Sequence, residues 1–136
     1  VIEAIELYKQ IRDICARQNN WDDYTTLFCN IAANYNYLGD YKQMKNYLDS
    51  AFWSLEKYEI DQFSNTHASV LSYAGWYYGE IGDHKKSLEI FQKTLEIDQH
   101  LYETGAEGFD TTYLASDYIN IGYWYNNIGD YSEAKR

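Results

Sequence analysis

Proline is absent from this chain of 136 residues, methionine occurs once and cysteine twice. Without proline no pyrrolidine ring halts a helix, so helices are free to run on by a turn or two. Cys15 and Cys29 fall on the faces of different expected helices, and two cysteines in a chain of this size point to reduced thiols, not to a disulfide scaffold. Basic residues are also scarce. Eleven Lys and Arg stand against 21 Asp and Glu, a net charge of −10, which argues against nucleic acid as a partner because phosphate binding needs Lys and Arg. An acidic surface attracts basic partners, although a merely solvated face accounts equally well for most of these carboxylates. No apolar run approaches the ~18 residues of a membrane span, and no signal pattern opens the chain. The expectation is a cytoplasmic module with no membrane partner.

Chemistry-bearing patterns are missing too. His67, His84 and His100 sit in unrelated places, with no second ligand at metal spacing, no His-Glu-x-x-His, no Cys-x-x-Cys and no glycine-rich phosphate loop after a strand. Glu103, Glu107 and Asp110, with Gly105 and Gly108, do not match a calcium loop and read as a solvated connector. No enzyme, cofactor or metal is expected.

What is present is a recurrence. Gly39-Asp40-Tyr41, Gly82-Asp83-His84 and Gly129-Asp130-Tyr131 lie 43 and then 47 residues apart, each after a large apolar residue (Leu38, Ile81, Ile128). A glycine can close one helix in the left-handed conformation, and the following Asp can cap the next. Self-similarity at such a period signals stacked supersecondary units. Before each turn runs a stripe at helical spacing with a small residue inside it. These are Phe28, Ile31, Ala32 and Tyr35; Leu71, Ala74, Gly75 and Tyr78; then Tyr118, Ile121, Gly122 and Tyr125. After each turn a second pattern follows: Met44, Leu48 and Ala51, then Ser87, Phe91 and Thr94, then Ala134, with Ala4 and Tyr8 fitting an earlier second helix. Helices are expected at 2–17, 21–38, 41–58, 66–81, 84–101 and 111–128, with another beginning at 131–136. Asn20 is the expected cap of the second, and 102–110 the loop. The units are 1–20 (an orphan second helix), 21–63, 64–110 and 111–136, a fragment of a longer array.

The pattern resembles the tetratricopeptide repeat, whose signature runs Trp-x2-Leu-Gly-x2-Tyr, then Ala-x3-Phe, then Pro. It covers nearly the whole chain, but its spacing exceeds the family's ~34 residues, Met44 replaces a small residue and the proline is missing. Longer repeats of this kind look like those of kinesin light chains, of the adaptor that orients mitotic spindles and of bacterial ligand-sensing regulators. The resemblance implies an all-α, right-handed superhelical solenoid of antiparallel helix hairpins, with first helices lining a concave groove.

On each first helix, the face opposite the stripe carries Thr26, Asn30, Ala33 and Tyr37, then Ser69, Tyr73, Trp76 and Glu80, then Ser116, Asn120, Tyr123 and Asn127, flanked by Asn36 and Asn126. It holds one carboxylate and no Lys or Arg, which argues against a clamp for a C-terminal carboxylate. Amides pair with peptide units, and Tyr or Trp offers rigid contact area. Asn30, Tyr37, Tyr73, Trp76, Glu80, Asn120, Tyr123 and Asn127 are therefore the candidate groove for an extended, neutral-to-basic peptide of a partner protein. The aromatics are open to a second reading, as packing between neighbouring first helices. Two roles follow: an interaction scaffold or adaptor, or a peptide- or small-ligand-sensing segment of a larger regulator. The sequence leaves oligomeric state open.

Overall fold

The computed structural model describes the backbone of residues 1–134 and the side chains of 1–128. It consists of six α-helices, and no strand occurs among the described residues: α1 (Ile2–Arg17), α2 (Trp21–Tyr37), α3 (Tyr41–Lys57), α4 (Asn65–Glu80), α5 (His84–Glu103) and α6 (Thr112–Ala134). The protein is all-α. None of these helices is long and apolar enough to cross a membrane.

Helix ends follow from local chemistry. Gly39 and Gly82 take positive φ, 71° and 92°. This lets the Asp40 N–H reach back to the Tyr35 carbonyl at 2.9 Å and the Asp83 N–H to that of Tyr78 at 2.8 Å, satisfying carbonyls that the helix end would otherwise orphan. The side chains of the same two Asp residues accept from the Gln43 and Lys86 N–H groups and so start α3 and α5. Asn20 caps α2 through the Asp23 N–H, and Ser64 caps α4 through that of His67.

The break expected at Gly129-Asp130 is not made: α6 continues to Ala134. A break here would require a second helix nucleus, which is unfavourable without packing to stabilise it. Extending α6 adds one hydrogen bond per residue fixed. The register expected for Ala134 lies outside the described side chains.

Successive helices pack on one another, and α2 also lies against α4. The α2 and α3 helices run antiparallel, since Thr25 meets Ser54 early in one and late in the other, and Tyr35 stacks on Tyr47 at 5.5 Å. Likewise α4 and α5: the Ser87 hydroxyl donates to the Gly75 carbonyl at 2.7 Å, while Ala68 packs with Ile97 and Leu101. A Cβ on Gly75 would stand 2.8 Å from the Phe91 ring, so the small residue in this stripe does permit close approach. Between hairpins, α2 and α4 run parallel. Thr66 donates to the Asp22 carboxylate at 2.6 Å near their starts, and Phe28, Cys29 and Val70 share one core with Ala51 and Leu55. Cys15 and Cys29 are free and buried, and burial pushes the Cys29 thiol up to about 12, which makes it inert.

In α6 the buried side departs from the expected stripe. Asp117 and Trp124 are buried and Ile121 and Ile128 pack beside them, whereas Tyr118 and Tyr125 are 57% and 54% exposed and Gly122 is exposed. Among the described residues no helix covers that side, so the burial that selects Ile31 or Ala74 in earlier units has no counterpart at Gly122.

Candidate functional site

The third hairpin boundary opens into a cleft. It lies between α4, α5 and α6, has a volume of about 320 Å³, and is lined by Ser69, Ser72, Tyr73, Trp76, Asp98, Ser116, Asp117 and Asn120, with Asn65, Ala68 and Tyr113 toward one end. An aromatic cluster closes the other end. Trp76 sits edge-on to Phe91 and to Trp124, and Tyr123 lies 6.0 Å from Trp76. Trp124 can settle there because Gly79 leaves room; a Cβ on Gly79 would stand 2.1 Å from the indole. The connector into α6 is anchored on α4 and α5. Its Ala106 and Phe109 pack on Ala68, Ile97 and Leu101, while Glu103, Glu107 and Asp110 stay exposed, as expected of a solvated connector. Asp110 accepts from the Thr112 N–H at 2.9 Å, which lowers its pKa and gives the carboxylate a turn-forming role at the start of α6.

Two carboxyl groups line this cleft, one from α5 and one from α6. Asp98 and Asp117 are 4% and 2% exposed and lie within hydrogen-bonding reach of each other. Burial, reinforced by Asp98, pushes Asp117 up to about 8; burial also raises Asp98, while its bond to Asp117 opposes that rise. Such a pair holds a shared proton at neutral pH, because two desolvated carboxylates side by side cannot both ionise cheaply. Asp117 Oδ2 is sealed from solvent with no donor facing it, and Asn65 Oδ1 is in the same state.

The candidate groove residues divide. Tyr73, Trp76 and Asn120 line the cleft, and Tyr123 joins its aromatic end. Tyr73 also packs against both cores between α2 and α4, and burial raises its phenol pKa, so it serves as packing and lining at once. Asn30 is half-buried on α2, outside the cleft, and its backbone carbonyl accepts from the Asn34 amide at 2.9 Å. Tyr37 is 81% exposed. Glu80 accepts a long 3.5 Å bond from the Tyr41 hydroxyl, and Asn127 is half-buried near the far end of α6. Asp98 and Asp117 were not among the expected residues. Asp98 lies on a second helix, outside the face expected to line the groove, and Asp117 lies one position from Ser116. Both were legible in another way: Asp98 shares the helical spacing of Phe91, Thr94 and Leu101, and Asp117 that of Ile121, Trp124 and Ile128. A carboxylate on an apolar stripe is a buried charge in need of a reason.

The chain matches no protein-family model and no curated protein sequence. Its fold is found among solved structures. It is similar to BtubC (BKLC) from P. vanneervenii at 24% identity and a TM-score of 0.73, over 97% of this chain and 51% of that one. The chain thus spans about half the length of that protein.

Proposed function

We propose that the chain is a segment of a right-handed superhelical array of helix hairpins, tetratricopeptide-like in kind, that holds an extended peptide segment of a partner protein and acts as scaffold or adaptor in the cytoplasm. The observation that carries this reading is the cleft between α4, α5 and α6, where Tyr73, Trp76 and Asn120 converge. An amide there can donate to and accept from one peptide unit, and the rings supply contact area at low entropic cost. No Lys, Arg or His lines the cleft, which disfavours acidic ligands and favours a neutral-to-basic segment. Nucleic acid is disfavoured by the same charge balance. The chain is read as a binding module and not an enzyme.

A ligand-sensing role is the second reading. The α4–α6 junction is joined through Trp76, Tyr123 and Trp124 at one end and is hollow along the rest. An occupant there would alter the angle between hairpins, which a larger regulator could read. Peptides selected from a random library against the chain test the groove: Asn120→Ala should weaken the selected peptides by about tenfold. Unchanged affinity in Asn120→Ala would remove the groove assignment.

A further inference from the structure

The cleft has hydroxyl and amide donors but no cationic one. Its carboxyl pair, Asp98 and Asp117, is almost wholly buried, Asp117 Oδ2 and Asn65 Oδ1 are buried acceptors without a partner, and no Lys, Arg or His is among the lining residues. Buried acceptors in native proteins are satisfied almost without exception. Besides a proton shared between the carboxyls, a donor-rich cation from outside would satisfy this pair. A guanidinium group is planar, carries five N–H donors and no acceptor, and matches paired carboxylates with its fork. The cleft also offers what such a side chain needs beyond charge. Trp76 and Tyr113 present rings on which a guanidinium or its alkyl stem can lie. A volume of about 320 Å³ accommodates an extended side chain together with part of a backbone beside Asn120.

We propose that the cleft is a specificity pocket for an arginine side chain, with Asp98 and Asp117 receiving the guanidinium and Asn120 the adjoining peptide unit. This rests on the peptide-groove reading and adds to it the residue the groove selects. In the empty protein the carboxyl pair keeps its shared proton. When the cation enters, its N–H groups take the place of that proton, which leaves to solvent, so binding strengthens as pH rises. The titratable groups facing the site are Asp98 from α5, Asp117 and Tyr113 from α6, and Tyr73 from α4. Burial raises the Tyr73 phenol pKa, so the carboxyl pair sets the dependence.

The test uses the whole chain and small probes. Nα-acetyl-L-arginine amide, titrated with backbone amide shifts as the readout, should perturb Asp98, Asp117 and Asn120 and bind at least about tenfold more tightly than its uncharged near-isostere Nα-acetyl-L-citrulline amide. Affinity should rise between roughly pH 6 and pH 8, as displacement of a proton requires. Asp117→Asn should lose that preference and the pH dependence together. Ser116→Leu, at an exposed position on the rim of the cleft, should block the probe without disturbing the fold. Equal binding of the citrulline probe, a preference that survives Asp117→Asn, or saturation of the same residues by calcium chloride in place of the arginine probe would each overturn the assignment. If selected peptides bind but carry no arginine preference, the pocket fails and the groove stands. If the arginine probe binds and no peptide does, the pocket stands and the groove fails.

Discussion

Where α2 meets α4, Val70 and Tyr73 fill the space against Phe28 and Cys29, and the Thr66–Asp22 hydrogen bond ties the helix starts together. Where α4 meets α6, Ser69 and Ser72 of that same α4 face an opening, and contact gathers at one end around Trp76, Gly79, Tyr123 and Trp124. Both junctions pair parallel helices, and the difference lies in the connectors. The segment between α3 and α4 brings Ile60 into the core shared by both hairpins. The one between α5 and α6 drives Phe109 into the base of the α4–α5 hairpin instead. A boundary between helix pairs can therefore be a filled core or an open cleft, and the two differ in where an apolar loop residue lands. The hollow one also holds two buried acceptors without a partner, Asp117 Oδ2 and Asn65 Oδ1.

The contrast can be broken most severely at the aromatic end of the open junction. Trp124 is 3% exposed and is the main bridge from α6 to α4, so Trp124→Ala should cost about 3–5 kcal/mol in urea unfolding. Gly79→Ala should destabilise in the same direction by about 1–3 kcal/mol, because the new Cβ displaces the indole. Tyr125→Ala, one residue further on, should change stability by less than about 0.5 kcal/mol, as its ring is exposed. If Tyr125→Ala proved as costly as Trp124→Ala, the buried side of α6 would have been assigned to the wrong stripe.

Proton linkage offers a second, smaller handle. Asp117 binds its proton more tightly folded, at about 8, than at its ordinary 3.8. The stabilisation from this group is therefore fully present below about pH 4 and is lost progressively as pH rises to about 8. Asp117→Asn removes the dependence, since an amide stays neutral. The variant should match the parent at acidic pH and exceed it by about 1–3 kcal/mol near pH 9. The difference between the two melting curves, followed from pH 4 to 9, checks it. A difference that does not change with pH would mean that the pair is solvated, and the closed and open junctions would then differ in shape alone. The α2–α4 core, which holds no carboxyl pair, provides the control.

Much of this architecture was open to reading in the residues. Gly39-Asp40 and Gly82-Asp83 mark turns because glycine tolerates positive φ and Asp caps, and those boundaries fall within a residue or two of the expected ones. The stripes of α2 and α4 follow from spacing because a helix lies on each side to reward it. At Gly129-Asp130 the same tripeptide makes no turn, since turn chemistry allows a break but only packing stabilises the helix beyond it. Asn19 and Glu59 also take positive φ, 55° and 50°, and end α1 and α3 with no glycine to announce them. Of the site, Tyr73, Trp76 and Asn120 were within reach of face analysis. The carboxyl pair joins residues of two different helices, and no local pattern encodes their meeting.

The smallest effect is also the most discriminating, because it compares three glycines of one protein. Gly122 occupies on α6 the place that Gly75 holds on α4, yet a Cβ there would meet nothing within 4 Å, while at Gly75 it would meet Phe91. Glycine inside a helix carries an entropic cost of about 0.5–1 kcal/mol relative to alanine. Gly122→Ala should therefore stabilise by about that amount, while Gly75→Ala should destabilise through the Phe91 contact and Gly79→Ala more strongly still, through Trp124. The order of the three, measured by urea midpoint, follows distance to the neighbouring ring and not helix propensity. A destabilising Gly122→Ala would mean that the exposed side of α6 is covered in solution. The natural cover is another helix packed on α6 as α4 packs on α2, and the open junction would then be one interior step of a longer stack.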